Sequence, residues 1–229
     1  VSTPAEKHAF RVSGETALTL LAFIVFFTAL LAWVYLFSRP VIEQSTRTEK
    51  LVVLNQILSP DLYNNDPLND SISLPAEPAL GTKTPSTVYR ARINGKPAAL
   101  VMDVVAPDGY SGDIKLLVAF NAEGQVLGAR VIEHKETPGL GDYIDPRKDK
   151  NKDTPWITQF NDVPGSLSAQ DWHVKKDGGK FDAYAGATVT PRAVVKAVHR
   201  ARDFVMANRQ VLFMPSAMQN LSSPPPDKR

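Results

Sequence analysis

Two stretches of the chain set reactive residue types at a spacing that chemistry can use. The first, GGKFDAYAGATVTPRAVV (178–195), runs small residues into two threonines and a proline. Thr190 suits a helix N-cap and Pro191 the first helical position, so a helix is predicted from Pro191 to about Asn208. The free N–H groups of its first turn then point at Gly186-Ala187-Thr188. Small residues at 185–187 let a ligand approach the backbone closely. This makes an anion site, with phosphate a natural occupant. The second stretch, HKETPGLG (134–141), follows a predicted strand. It combines a carboxylate, a hydroxyl, a rigid proline and two glycines, as a ligand-contacting loop does. The residues alone leave a plainer reading open for each: a glycine turn entering a capped helix, and a strand-end turn.

Other chemistries find little support. The chain has no cysteine, which removes disulfides, thiolate metal sites and Cys nucleophiles. His8, His134, His173 and His199 show no metal-ligand spacing, and a Ser-His-Asp set would be an arbitrary choice among many serines. There is no P-loop and no GxGxxG unit. The run DPRKDKNKD (145–153) has acidic residues broken up by basic ones and amides, with no closing Glu. It reads as a solvated loop rather than a calcium site. With 26 basic against 24 acidic residues the net charge is +2, so nucleic-acid binding has no electrostatic basis.

The elements that must position these stretches are partly legible. Residues 17–38 carry no charge over 22 positions. As a helix they reach ~33 Å, enough to cross a bilayer core of about 30 Å. They are read as a retained single-span anchor in membrane lipid. Lys7 and Arg11 before the span and Arg39, Arg47 and Lys50 after it leave its orientation open. Residues 41–58 read as a helix leaving the membrane, ended by Pro60. Residues 59–86 read as a loop that spaces the domain off the membrane. Alternating segments 87–93, 97–105, 114–120 and 125–134 read as strands. Asn94-Gly95 and the 121–124 segment mark hairpins, so the sheet is antiparallel. In the last helix Val194, Val198, Ala201, Val205 and Asn208 form one stripe, widened by Val195 and Phe204. The fold class is α+β: one N-terminal transmembrane helix, then a single domain of antiparallel sheet plus helices. The divisions are 1–16, an N-terminal segment; 17–38, the span; 39–86, juxtamembrane helix and loop; 87–210, the ligand domain; and 211–229, a tail with a disordered end.

HKETPGLGD and DAYAGATVTPRAVV together resemble the covalent-FMN subunits of the Rnf and Nqr membrane complexes. The G subunits of Rnf-type ion-translocating ferredoxin:NAD+ oxidoreductases are the nearer match. The order of features is similar too: anchor, juxtamembrane helix, GYSG (109–112), ETPGLG (136–141), a Trp-containing segment, then the flavin motif. The resemblance covers roughly residues 17–210. It implies FMN bound covalently, as a phosphoester on Thr188, with Ala185, Gly186 and Ala187 completing the motif. Ala185 stands where the family usually has Ser or Thr, and the run 145–153 resembles an insertion between ETPGLG and Trp156, which implies that it is peripheral. It implies that Glu136, Thr137, Gly139, Leu140 and Gly141 line the flavin ring, with Trp156 and Lys175 as further candidates. It implies a subunit that relays electrons and is not catalytic alone. The partners would be the other membrane and redox subunits of an Rnf-type complex, with a separate flavin transferase for maturation. The location would be a bacterial inner membrane, single-pass, with the large domain periplasmic. Two alternatives stand beside this: the equivalent subunit of a sodium-translocating NADH:quinone reductase, and a membrane-anchored flavin-binding sensor.

Overall fold

The computed structural model describes residues 17–18, 20–35 and 51–214. The predicted segment 1–16, residues 36–50 of the predicted span and following helix, and residues 215–229 of the predicted tail lie outside them. The chain divides into two compact units, Val1–Lys50 and Leu51–Arg229.

In the first unit residues 20–35 are helical. Its large apolar side chains are exposed, among them Leu21, Ile24, Phe26, Leu31 and Trp33. Among the described residues no helix is long and apolar enough to cross a membrane.

The second unit is built on a five-stranded antiparallel sheet in simple sequential order. Its strands are β1 (Ser71–Leu74), β2 (Ser86–Ile93), β3 (Lys96–Gly109), β4 (Gly112–Asn121) and β5 (Val126–Glu133). Strands β2 to β5 overlap the predicted ones, with β3 running on to Gly109 and β4 starting at Gly112. Asn94 (φ 52°) and Gly95 (φ 77°) make the two-residue turn between β2 and β3, where both positions need positive φ. Strand β1 differs from the predicted loop over 59–86. It pairs Ile72 with Val88 and Leu74 with Ser86. Only Ile72 and Leu74 turn inward in this four-residue strand, too short a pattern to stand out between Asn-Asp and Pro.

Alternation along β3 splits the core. Leu100, Met102, Val104 and Ala106 face one layer. There the C-terminal helix, Val189–Leu212, covers the sheet and buries the predicted stripe, Val194 through Asn208. Ala99 and Val101 face the other layer, where Leu54, Ile57 and Leu58 pack. Residues 51–57 are helical. They lie on the sheet as part of its compact unit. Small residues permit this: Ala91, Ala99 and Ala119 line that face, and a Cβ at Gly128 would come within 3.4 Å of Ile57.

The helix runs past the predicted end at Asn208, to Leu212. Arg92 donates to the carbonyl of Phe213 (2.8 Å) and Arg90 to that of Met214 (2.6 Å). Both guanidiniums also hold Asp70. Two cations from β2 thus satisfy carbonyls just beyond the negative end of the helix. At its other end Lys196 pairs with Asp108 at 3.1 Å, tying the helix to the tip of β3.

Candidate functional site

The β3–β4 tip, the loop after β5 and the start of the C-terminal helix meet around one carboxylate. Glu136 is buried, at 4% exposure. It accepts the N–H of Ser111 at 2.9 Å and the hydroxyl of Thr190. Its own N–H donates to Nδ1 of His134 (3.2 Å). A Cβ at Gly141 would lie 2.5 Å from the Thr190 hydroxyl oxygen and 2.8 Å from a Glu136 carboxylate oxygen. Glycine is therefore required for this close approach. Glu136 joins three segments distant in sequence and holds their geometry.

The helix starts two residues earlier than predicted. Its N-cap is Thr188 and its first residue Val189. Thr190 is therefore not the cap but the second helical residue, and its hydroxyl is committed to Glu136. Pro191 falls third rather than first, which costs no hydrogen bond because the first four N–H groups have no intrahelical partner. Thr188 makes no side-chain capping bond (φ −98°, ψ −16°). It is only half-buried, and its hydroxyl has no partner among the described residues.

The turn before Thr188 is fixed on both sides. Ala187 N–H donates to the Tyr184 carbonyl (3.2 Å), with Gly186 at φ +83°, a conformation that favours glycine. Tyr143 clamps this turn. Its hydroxyl donates to the Ala187 carbonyl (3.0 Å) and accepts the Tyr184 N–H (3.3 Å). The two tyrosine rings stack with centroids 4.1 Å apart. The Tyr184 hydroxyl donates to Asp149 at 2.8 Å. Asp149 is 1% exposed and also accepts the N–H groups of Trp156 (2.6 Å) and Asn151 (3.0 Å). Burial first, then the Asp149 carboxylate, pushes the Tyr184 phenol up to about 12. Burial also raises that of Tyr143.

Beside the turn opens a cleft of about 200 Å³. Gly139 and Leu140 line it from the loop, Tyr184, Ala185 and Ala187 from the turn, and Lys148 and Lys150 from the charged run. The run 145–153 is thus not peripheral. Two of its three acids turn inward: Asp145 and Asp149 are buried, Asp153 is exposed, and Arg147 pairs with Asp145 (2.8 Å). Alternation of Lys, Asp and Lys over 148–150 was the available signal, hidden by the high overall charge. Tyr143 and Tyr184 were likewise passed over, since neither residue type marks a site without its partners.

The other expected residues occupy distinct places. Leu140 is 52% exposed, an apolar side chain open to the cleft. The Thr137 carbonyl accepts the N–H groups of Leu140 and Gly141, shaping the loop. Trp156 is buried behind Tyr143, edge-on to its ring at 5.7 Å, and its indole donates to the Asp182 carbonyl (2.6 Å). Lys175 is exposed and pairs with Asp182 (2.6 Å). Neither Trp156 nor Lys175 lines the cleft. Among the described residues no group of three or more His, Asp and Glu is placed to hold a metal ion.

Comparison with known proteins bears on these elements directly. The model of the FMN-binding domain family matches residues 109–203, and that of the RnfG N-terminal region matches 14–57. The G subunit of an ion-translocating oxidoreductase complex from Pseudomonas aeruginosa is 44% identical over 202 residues, covering 88% of this chain and 92% of that protein. The chain belongs to the family of G subunits of ion-translocating oxidoreductase complexes. The corresponding protein from Vibrio cholerae is 42% identical over 199 residues, with 86% and 92% covered. That from Pectobacterium atrosepticum is 44% identical over 187 residues, with 81% and 86% covered. The FMN-binding match takes in the β3–β4 tip, the 136–141 loop, the charged run, the 184–188 turn and the first half of the C-terminal helix. The loop, the charged run and the turn among them supply residues that line the cleft.

Proposed function

We propose that this chain is the FMN-carrying electron-transfer subunit of an Rnf-type ion-translocating oxidoreductase complex, with the FMN phosphate esterified to the hydroxyl of Thr188. Family membership supports the FMN-carrying role. The observation that carries the covalent link is the contrast between two threonines. Thr190 spends its hydroxyl on buried Glu136, whereas Thr188 offers a free, half-buried hydroxyl at a helix N-terminus.

The surrounding residues fit such a group. A Cβ at Gly139 or Gly186 would meet nothing within 4 Å, so both turns have open space beside them. Leu140 offers an apolar surface, and the Tyr143–Tyr184 stack gives the turn a rigid backing. FMN supplies one- and two-electron redox chemistry. The chain's own residues anchor and orient it. Thr188 provides the covalent tether, and the helix N-terminus favours the remaining phosphate charge. Glu136 keeps the loop in register with the helix. No side chain here is asked to act as acid, base or nucleophile in electron transfer.

The uncharged run 17–38, whose described large apolar side chains are exposed, is the proposed anchor in the inner membrane, and the flavin domain, 87–210, lies on the periplasmic side. The remaining redox and membrane subunits of the complex are its partners, and a separate flavin transferase loads Thr188. The test is direct. The full chain, co-produced with a flavin transferase, is denatured, run on a gel and viewed under ultraviolet light. A fluorescent band that disappears in Thr188→Ala supports the proposal. A dark wild-type band, or a fluorescent Thr188→Ala band, overturns covalent attachment there.

A further inference from the structure

The charged run contributes more to the cleft than a wall. Its two buried acidic groups are already satisfied: Asp145 holds Arg147, and Asp149 accepts the Tyr184 hydroxyl and two backbone N–H groups, while the third, Asp153, is exposed and outside the cleft lining. Lys152 is committed to the carbonyls of Pro146 (3.4 Å) and Arg147 (2.9 Å). Lys148 and Lys150 have no such commitment. Both line the cleft beside Ala185 and Ala187, and neither ammonium has a carboxylate within 4.0 Å among the described residues. Asp149 between them is pinned inward, which leaves both flanking lysines on the cleft side. The result is a double cation beside the turn that leads into Thr188; the one carboxylate in the same lining, Asp142, accepts the Gly139 N–H at 2.8 Å and forms no ion pair with either lysine.

We infer that Lys148 and Lys150 form a phosphate-binding wall that pairs with the ester phosphate of the nucleotide on Thr188. This rests on the Thr188 assignment above. A phosphodiester keeps one negative charge, and an ammonium is a suitable point-charge partner for it. The helix N-terminus and the two lysines then face one anion from two sides.

Lysine acetylation read by mass spectrometry tests this in the full chain in membranes. Three forms are compared: wild type produced with a flavin transferase, wild type produced without it, and Thr188→Ala produced with it. The flavin mass on the Thr188 peptide is recorded in the same digest. Acetylation of Lys148 and Lys150 should be about fivefold slower in the flavinylated chain than in both unflavinylated forms, the change expected of a modest ion pair. Lys176 and Lys180, away from the cleft lining, should react equally in all three. Equal reactivity of Lys148 and Lys150 with and without flavin overturns the assignment. So does equal shielding in all three forms, which would indicate a lipid headgroup or another anion. Absence of flavin mass on Thr188 in the first form overturns the underlying reading, and the lysine assignment falls with it.

Discussion

Two threonines separated by one residue have opposite roles because their hydroxyls see different surroundings. Thr190 is 2% exposed and bonded to a buried carboxylate. Thr190→Ala should keep the flavin yet lose about 1–3 kcal/mol of stability, because Glu136 loses a donor in a buried site. Urea denaturation of the mutant measures this, and an unchanged midpoint would contradict the role given to Glu136. Tyr184 makes a pH-dependent contribution. Its phenol is held neutral up to about 12, above the usual value near 10, by burial and by Asp149. A raised value in the folded state means that stability from the neutral phenol is complete below pH ~10 and lost as pH rises through about 12. Wild type should therefore lose stability across that window more steeply than Tyr184→Phe. Denaturation midpoints measured from pH 8 to 12 check this, and parallel curves would refute it.

At the scale of elements, the loop 136–141, through Gly139 and Leu140, and the turn 184–188, through Tyr184, Ala185 and Ala187, line one cleft. Leu140→Ala should leave FMN attached but shift its absorbance or reduction potential, because an apolar contact at the cleft is lost. Spectra and potential identical to wild type would remove the loop from the flavin site. Much of this was legible in the sequence. Strand alternation, the Asn94-Gly95 turn and the buried helix stripe from Val194 to Asn208 all follow from periodicity, a local signal. The helix start was misplaced because Pro191 tolerates any position in a first turn, and Thr190 resembles a cap until Glu136 is seen beside it. Strand β1 escaped notice because two inward residues make no pattern. The 145–153 run was misread for a different reason. Composition reports its charge, but only folding shows that Asp145 and Asp149 turn inward and leave Lys148 and Lys150 at the cleft. Contacts such as Tyr184 with Asp149, 35 residues apart, have no local signature.

The whole molecule joins an apolar N-terminal unit to a domain whose cleft sits at one end of its sheet. The proposed topology places everything after about residue 40 outside the cytoplasm. A reporter that is active only in the cytoplasm, fused after Arg229, should stay inactive, and activity there would refute the periplasmic placement. The central claim is that this end of the sheet is a covalent flavin site with its tether on Thr188. The most direct measurement is fragmentation mass spectrometry of the tryptic peptide 181–192 from the full chain co-produced with a flavin transferase. That peptide carries Thr188 and Thr190 together, so the fragment series separates them. The account predicts the FMN mass on Thr188, with Thr190 unmodified. FMN on Thr190, or an unmodified peptide from fully matured protein, would contradict it.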